Sequence, residues 1–208
     1  MRRIHTLLTA IVAVSLLGLT ISPAFALISS GFEQGLGHNA HAIGTSIAGL
    51  DFTTTSGGDV WFADINSTWY SVTSDNGAVY DDGDYFLSGY VAAYVPNAAD
   101  VAKVQLSYGP ATYFTVGYSS EYWFVMEAYD ISNNLLTTAT GAANSKAQGG
   151  TGLSLLTVSH PDIAYVLLHD HGGFWMIDNI QTDAPVPEPT AVVVLCTGLV
   201  GLFVRRRR

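Results

Sequence analysis

Residues 101–108 read Val-Ala-Lys-Val-Gln-Leu-Ser-Tyr, and small or apolar side chains alternate with polar ones along this stretch. One set comprises Ala102, Val104, Leu106 and Tyr108, and the other comprises Lys103, Gln105 and Ser107. Alternation with a period of two predicts a β-strand that buries one face and leaves the other to solvent. Such strands are typical of antiparallel sheets.

The sequence has the same character throughout residues 27–184. Short segments rich in β-branched and aromatic residues alternate with turns that contain Gly, Asn, Asp or Pro, and no long stretch has helical periodicity. We predict further strands at residues 49–55, 60–64, 69–73, 85–95, 111–118, 122–131, 135–140, 153–158, 163–169 and 174–182, and a long loop at residues 141–152. Many short strands without helices predict an all-β fold, an antiparallel β-sandwich similar to a jelly roll.

The charge balance of residues 27–184 is strongly acidic. This segment contains two lysines and no arginine against sixteen acidic residues, a formal charge of −14. Nucleic-acid binding needs a basic surface, so the composition argues against a nucleic-acid partner. The single cysteine, Cys196, lies outside the segment, so no disulfide can form within it. Its stability must therefore come from a hydrophobic core.

Residues 1–26 have the pattern of a secretory signal peptide. A short basic region precedes an apolar stretch, and Ala24 and Ala26 fit the small-x-small pattern of a cleavage site. We predict an N-terminal signal helix, cleavage after Ala26 and a mature chain that begins at Leu27. An uncleaved membrane anchor is the alternative.

The C-terminal segment has three parts. An apolar stretch at residues 190–204 lies between two short motifs, Pro187-Glu188-Pro189 and Arg205-Arg206-Arg207-Arg208. As a helix this stretch rises about 22 Å, less than the hydrocarbon thickness of about 30 Å, but terminal arginines can snorkel and bilayers can thin. We predict a linker at residues 185–189, a transmembrane helix at residues 190–204 and, by the positive-inside rule, a cytoplasmic tail at residues 205–208.

This C-terminal segment resembles the PEP-CTERM sorting signal of Gram-negative bacteria that produce exopolysaccharide. The resemblance covers residues 187–208 and implies recognition by exosortase, a membrane-embedded cysteine transpeptidase. Pro187, Glu188, Pro189 and the terminal arginines are then the sorting residues. The implied route leads through the cell-envelope membrane to the cell surface or to the extracellular polysaccharide matrix of a biofilm. Permanent anchoring through an unprocessed tail is the alternative.

Residues 30–35 and 174–180 carry a second resemblance. They are similar to the first and last strands of the galactose-binding-like jelly roll found in many carbohydrate-binding modules. Those strands lie close together, and the resemblance implies a structural calcium ion held by Glu33 and Asp178. Carboxylates with nearby carbonyl oxygens are suitable calcium ligands. Two solvated acidic side chains at strand ends are the alternative.

Aromatic residues of segment 121–131 form the candidate ligand-binding face. Alternation predicts that Trp123 and Tyr129 lie on the same face as Glu127. Aromatic rings flanked by hydrogen-bonding groups suit the apolar faces and hydroxyl rims of sugars. We therefore predict that Trp123 and Tyr129 contact a polysaccharide. Packing of both faces inside the sandwich is the alternative.

Catalytic motifs are weak in this sequence. It has no Gly-x-Ser-x-Gly segment, and residues 27–184 lack a nucleophilic cysteine. Glu121 and Glu127 are the pair that a glycosidase would need, and His169 and His171 are the pair that would bind a transition metal. A solvated strand and a hairpin turn are simpler interpretations. We predict a non-catalytic protein with no certain cofactor, and a secreted glycan-active enzyme is the alternative.

Overall fold

β-Strands form nearly all the regular structure in the computed structural model, which describes residues 25–32, 41–64, 85–88, 101–172 and 174–185. Phe25–Pro185 forms one compact unit. The predicted signal helix, transmembrane helix and sorting residues lie outside the described residues. Within the described ranges, no helix reaches the length and apolarity that crossing a membrane requires.

Twelve strands and one short 3₁₀ helix follow one another along the described chain. In order they are β1 (Phe25–Ser30), β2 (His41–Ala42), β3 (Leu50–Thr54), β4 (Trp61–Asp64), β5 (Tyr85–Ser88), β6 (Ala102–Leu106), β7 (Ala111–Ser120), β8 (Phe124–Tyr129), β9 (Leu135–Gly141), η1 (Lys146–Gln148), β10 (Ser154–Ile163), β11 (Tyr165–His169) and β12 (Trp175–Pro185).

The strands form two antiparallel sheets. The larger has the order β10-β7-β12-β5-β4-β2, with β1 paired to β12 beside this path, and the smaller has the order β3-β6-β11-β8-β9. Every strand pair is antiparallel. The prediction of an all-β antiparallel fold is confirmed, and the two sheets are consistent with a β-sandwich.

Alternating side chains build the core between the sheets. β6 buries Ala102, Val104 and Leu106, as the sequence predicts. β8 likewise buries Phe124, Met126 and Ala128. Burial of large apolar side chains contributes about 1.5–3 kcal/mol each, so this alternation supplies much of the stabilising free energy.

Aromatic rings from both sheets meet at the centre of the core. The ring of Phe124 stacks on that of Tyr118 with a centroid distance of 4.9 Å and an interplanar angle of 13°. The other neighbour of Phe124 is Trp175, at 5.4 Å between centroids. Phe124 belongs to the smaller sheet and its two neighbours to the larger one, so these contacts join the sheets.

Several strand limits differ from the sequence prediction. β8 begins at Phe124 rather than at Tyr122, and β12 continues to Pro185 rather than ending at Thr182. β10 continues through Pro161 to Ile163, which is possible because β10 is an edge strand with a register shift after Ser159. The sequence did not predict β2 or the first residues of β1. The predicted strand at residues 69–73 lies outside the described residues.

The pairing of β1 with β12 brings the two ends of the compact unit together. The ladder runs from Phe25 opposite Pro185 to Ser30 opposite Ile180. The predicted cleavage site after Ala26 therefore lies within a paired strand, and cleavage would leave residues 27–30 in the ladder. The predicted linker begins at Pro185, the last paired residue of β12.

Candidate functional site

Exposed aromatic side chains gather at one end of the sheets. They lie on the β7–β8 loop and on the β11–β12 loop, and we call Tyr122, Trp123, His171 and Phe174 the aromatic end. The exposed fraction is 66% for Trp123, 43% for Phe174 and 42% for Tyr122. Large apolar side chains so exposed are typical of binding surfaces when they are grouped.

Ring contacts hold the two loops of the aromatic end against each other. The ring of Tyr122 lies 6.4 Å from that of Phe174 and 6.3 Å from the imidazole of His171, measured between centroids. A Cβ atom at Gly172 would come within 2.8 Å of the Phe174 ring and 2.9 Å of the Tyr122 ring. Glycine at this position therefore permits the close approach of the two rings.

A buried carboxylate fixes the backbone beneath the rings. Asp170 is only 4% exposed; its Oδ2 accepts a hydrogen bond from Ser120 Oγ at 3.0 Å and its Oδ1 accepts one from the Gly172 N–H at 2.8 Å. Ser120 Oγ in turn accepts a bond from the Tyr122 N–H at 3.3 Å. Asp170 thus joins the end of β7 to the β11–β12 loop.

The predicted long loop at residues 141–152 forms the third part of this support. The Asn144 and Ser145 N–H groups both donate to Ser120 O at 2.9 Å. The Asn144 side chain accepts from the Ser120 N–H at 2.8 Å and donates to Tyr118 O at 2.9 Å. Support by a second layer of hydrogen bonds is how rigid binding sites are built.

Trp123 and Tyr129, which the sequence places on one face, are not brought together. Trp123 lies in the loop before β8, whereas Tyr129 is the last residue of that strand. Six strand residues span about 20 Å at roughly 3.3 Å each, so the two rings belong to different surfaces.

Tyr129 lies in a packed polar cluster on the outer face of the smaller sheet. Its ring stacks on Tyr165 with a centroid distance of 5.0 Å and an angle of 3°, and its hydroxyl donates to Glu127 Oε2 at 3.0 Å. Lys103 Nζ lies 4.2 Å from the centroid of the Tyr165 ring. Burial is the main cause that raises the pKa of Tyr129, and the bond to Glu127 raises it further. Each side chain in this cluster already has a partner.

Each pair of residues in the catalytic and metal-binding alternatives is divided between a strand and a loop. Glu121 lies in the loop before β8, whereas Glu127 lies within the strand and accepts the bond from Tyr129. His169 ends β11, with Nε2 at 4.0 Å from Glu127 Oε2, and His171 lies in the following loop. Among the described residues, no three His, Cys, Asp or Glu side chains are grouped to hold a metal.

Asp178 occupies a distinct place in β12. It is 1% exposed, and its Oδ1 accepts a hydrogen bond from the Asn179 N–H at 2.6 Å. Asn179 has a left-handed backbone with φ of 51°, at the register shift in the pairing of β12 with β7. The register of β1 places Ser30 opposite Ile180, two residues from Asp178. Glu33, three residues after Ser30, lies outside the described residues.

The sequence prediction missed Tyr122 and Phe174 as surface residues. Tyr122 alternates in phase with the buried Phe124, so a strand that began at Tyr122 would bury both. The signal that could have placed Phe174 is the His171-Gly172-Gly173 turn, which puts Phe174 directly after a loop.

Comparison with known proteins identifies the C-terminal segment. Residues 185–208 match the PEP-CTERM protein-sorting motif, which confirms the sorting signal predicted from Pro187, Glu188 and Pro189. The motif indicates an exported protein that exosortase recognises in a membrane-associated sorting step. No curated protein matches the chain.

Among solved structures, a bacteriophage protein has a distant likeness to this chain. It is the enzymatically active domain of tailspike protein 4 of bacteriophage CBA120, with a TM-score of 0.24 and 9% sequence identity. The likeness covers 78% of this chain but only 19% of the tailspike chain. At this TM-score it gives no argument about fold or function.

Replacement of Asp170 tests how the aromatic end is supported. Asp170→Ala should lower the free energy of unfolding by about 1–3 kcal/mol, because Ser120 Oγ and the Gly172 N–H lose a buried acceptor. Asp162→Ala removes an exposed carboxylate and is the matched control. It should change the free energy of unfolding by less than about 0.5 kcal/mol. Urea denaturation measures both. Equal effects of the two substitutions would contradict the supporting role of Asp170.

Proposed function

We propose that this exported protein is a non-catalytic component of the cell surface or of the exopolysaccharide matrix, and that its β-sheet unit binds a neutral polysaccharide. The observation that supports this proposal is the aromatic end, where Trp123 is 66% exposed in the same loop as the exposed Tyr122, which contacts the exposed Phe174. Aromatic faces bind the apolar C–H faces of sugar rings, while neighbouring polar groups bind the hydroxyls.

Charge narrows the class of polysaccharide. The two loops of the aromatic end, at residues 121–123 and 170–174, contain no lysine or arginine that would pair with a uronate or sulfate group. The formal charge of −14 over residues 27–184 also repels anionic polymers. A partner of this surface is therefore neutral, or anionic only when divalent cations bridge it.

The rigidity of the aromatic end favours binding. Its loops are fixed by Asp170, by the Glu121 N–H bond to Phe174 O at 3.0 Å and by the ring contacts of Tyr122. A surface that is already ordered loses little conformational entropy when a ligand binds. Tyr129 was the second ligand-binding candidate, and its ring stacks on Tyr165 instead of standing free. We assign the contact to Trp123.

Calcium is proposed as a structural ion rather than a catalytic one. Asp178 lies where β12 changes partner from β5 to β1. Ser30, the last residue of β1, pairs with Ile180, two residues after Asp178. Glu33 follows Ser30 by three residues in the sequence. Glu33 and Asp178 would supply carboxylate oxygens, and the backbone of these strand ends would supply carbonyl oxygens. The ion would fix the junction of the first and last strands.

Sorting is tested by replacing the acidic residue of the motif. Glu188→Ala should leave export intact but retain the precursor in the membrane, because the tail loses the carboxylate between its two prolines. Asp162→Ala, a change of an exposed acid in β10, should be sorted normally. Mass spectrometry of the C-terminus measures processing. Wild-type protein that reaches the outer surface with Arg205–Arg208 still attached would support permanent anchoring instead.

Polysaccharide binding is tested at the exposed indole. Trp123→Ala should weaken retention on the producer's own matrix at least about tenfold, which corresponds to about 1.4 kcal/mol. Because Trp123 is mostly exposed, the free energy of unfolding should change by less than about 0.5 kcal/mol. Tyr108→Ala removes an exposed ring from the β6–β7 loop and should leave retention unchanged.

Two outcomes would contradict the assignment of Trp123. A loss of about 3–5 kcal/mol in stability, as for a truncated core aromatic, would show that Trp123 is a packing residue. Retention that falls with rising salt concentration would show an electrostatic contact instead of stacking on a neutral sugar.

Calcium binding is tested by thermal unfolding. A chelator should lower the melting temperature, since an ion at a hundredfold excess over its dissociation constant stabilises by about 2.7 kcal/mol. Glu33→Gln should abolish this difference, whereas Glu121→Gln, a matched change in the aromatic-end loop, should preserve it. Identical melting curves with calcium and with chelator would exclude the site.

A further inference from the structure

One stretch of the described chain contributes no acidic residue to the β-sheet unit. Residues 131–161 contain no Asp or Glu, although residues 27–184 contain sixteen acids in total. In the structure this stretch forms β9, η1 and most of β10. β9 and β10 are the terminal strands of their sheets in the described topology, and they lie next to each other. We call residues 131–161 the acid-free side.

Among the described strands, β9 ends the smaller sheet and lacks the charged side chains and proline that usually protect an edge from pairing with another chain. Edge strands are normally protected by charged side chains, proline, bulges or short length. β9 is seven residues long, Leu-Leu-Thr-Thr-Ala-Thr-Gly, with neither charge nor proline. Three of its residues, Leu135, Thr138 and Thr140, are exposed.

The other described edges are better protected. β10 contains Pro161 and Asp162 and has a register shift after Ser159. β3 is five residues long and contains Asp51. β1 is uncharged as well, but cleavage after Ala26, as predicted from the sequence, would shorten it to residues 27–30. Short edge strands are poor templates for pairing.

Apolar side chains are exposed on the same side. Ile131 is 87% exposed, Leu155 is 73% exposed and Leu135 is 53% exposed. Ile131, in the β8–β9 turn, and Leu135, the first residue of β9, add apolar area that a partner could cover. The surface therefore combines unprotected backbone with exposed apolar side chains.

The acidic residues nearest to β9 are held by local hydrogen bonds. Asp130 Oδ1 accepts bonds from the Ser132 and Asn134 N–H groups, each at 2.8 Å. Hydrogen bonds from Asn134 lower the pKa of Asp130, so it is a fixed part of the β8–β9 turn. Glu127 lies on β8 opposite Thr138 of β9, and it accepts the hydrogen bond from the Tyr129 hydroxyl.

We propose that β9 pairs antiparallel with β9 of a second copy of this chain, which extends the smaller sheet across a two-fold axis. A second copy fits because antiparallel self-pairing places each residue opposite a residue of the same uncharged strand. Two copies that carry a charge of −14 each repel at acidic surfaces, and the acid-free side removes that repulsion at the contact. This pairing is independent of the polysaccharide site.

A single-cysteine scan of the full chain in the producer's membranes tests the pairing. Cys196→Ala removes the native thiol, and residues 135–140 are then replaced by cysteine one at a time. A cysteine near the two-fold axis faces its own copy within the Cα separation of about 4.4–6.8 Å that a disulfide needs. Two residues away, the copies are displaced by about 13 Å, too far for a disulfide.

The expected result is a peak of disulfide-linked dimer on a non-reducing gel. It should be centred on one residue of β9 and should fall at least about fivefold two positions away. Thr55→Cys, after β3, and Ser29→Cys, on β1, are the controls and should remain monomeric. Thr138→Lys is then added to the cysteine variant of highest yield, or Thr137→Lys where that variant is at residue 138. It should reduce the dimer at least about fivefold, because a charged side chain on each edge disfavours pairing.

Two results would overturn the proposal. One is a profile that is flat over residues 135–140, or equal to that of Thr55→Cys, as random collision produces. The other is a scan that yields no dimer, combined with binding of the protein to an anionic polymer that Lys146→Ala abolishes. That result would assign the acid-free side to the polymer.

Discussion

β12 is the strand on which the described fold depends, because it hydrogen-bonds to three others. β7 occupies one of its edges along most of its length, whereas β5 and then β1 share the other. The change of partner falls at Asp178–Ile180, where Asn179 takes a left-handed backbone and the register with β7 shifts. A strand has only two edges, so this local irregularity lets one strand serve three neighbours. No disulfide can reinforce the junction, because residues 27–184 lack cysteine.

The same strand separates the aromatic end from the start of the sorting motif. Phe174 of the aromatic end directly precedes β12, and the sorting motif begins at Pro185, its last residue. Eleven residues of strand span about 33 Å at roughly 3.3 Å per step. Because β1 pairs with β12 up to Pro185, the N-terminal end of the described unit lies at the same end as the start of the motif. The first residue of the sorting motif, Pro185, is therefore far from Phe174.

Local patterns predicted the strands well, but long-range pairing decided the site. The alternation in β6 and β8 follows from side-chain geometry alone, so Val104 and Met126 could be assigned to the core from sequence. The sorting motif was equally readable, because exosortase recognises a linear segment. Tyr122 could not be placed, since hydrogen bonds from Ser120 to Asp170, fifty residues away in sequence, set where β7 ends and its loop begins. The alternation of neighbouring residues cannot predict a hydrogen-bond partner so distant in sequence.

The distribution of charge matters more than its total for what this protein contacts. At physiological ionic strength the Debye length is about 8 Å, so a surface responds mainly to charges within one or two strand spacings. The formal charge of −14 therefore affects mainly solubility and the rate at which charged molecules approach. The residues at a surface determine which partner it can contact. The aromatic end and the acid-free side both expose large apolar side chains. The proposed contacts with a polysaccharide and with a second copy are therefore compatible with an acidic exported protein, because each is assigned to a surface whose local charge differs from the total.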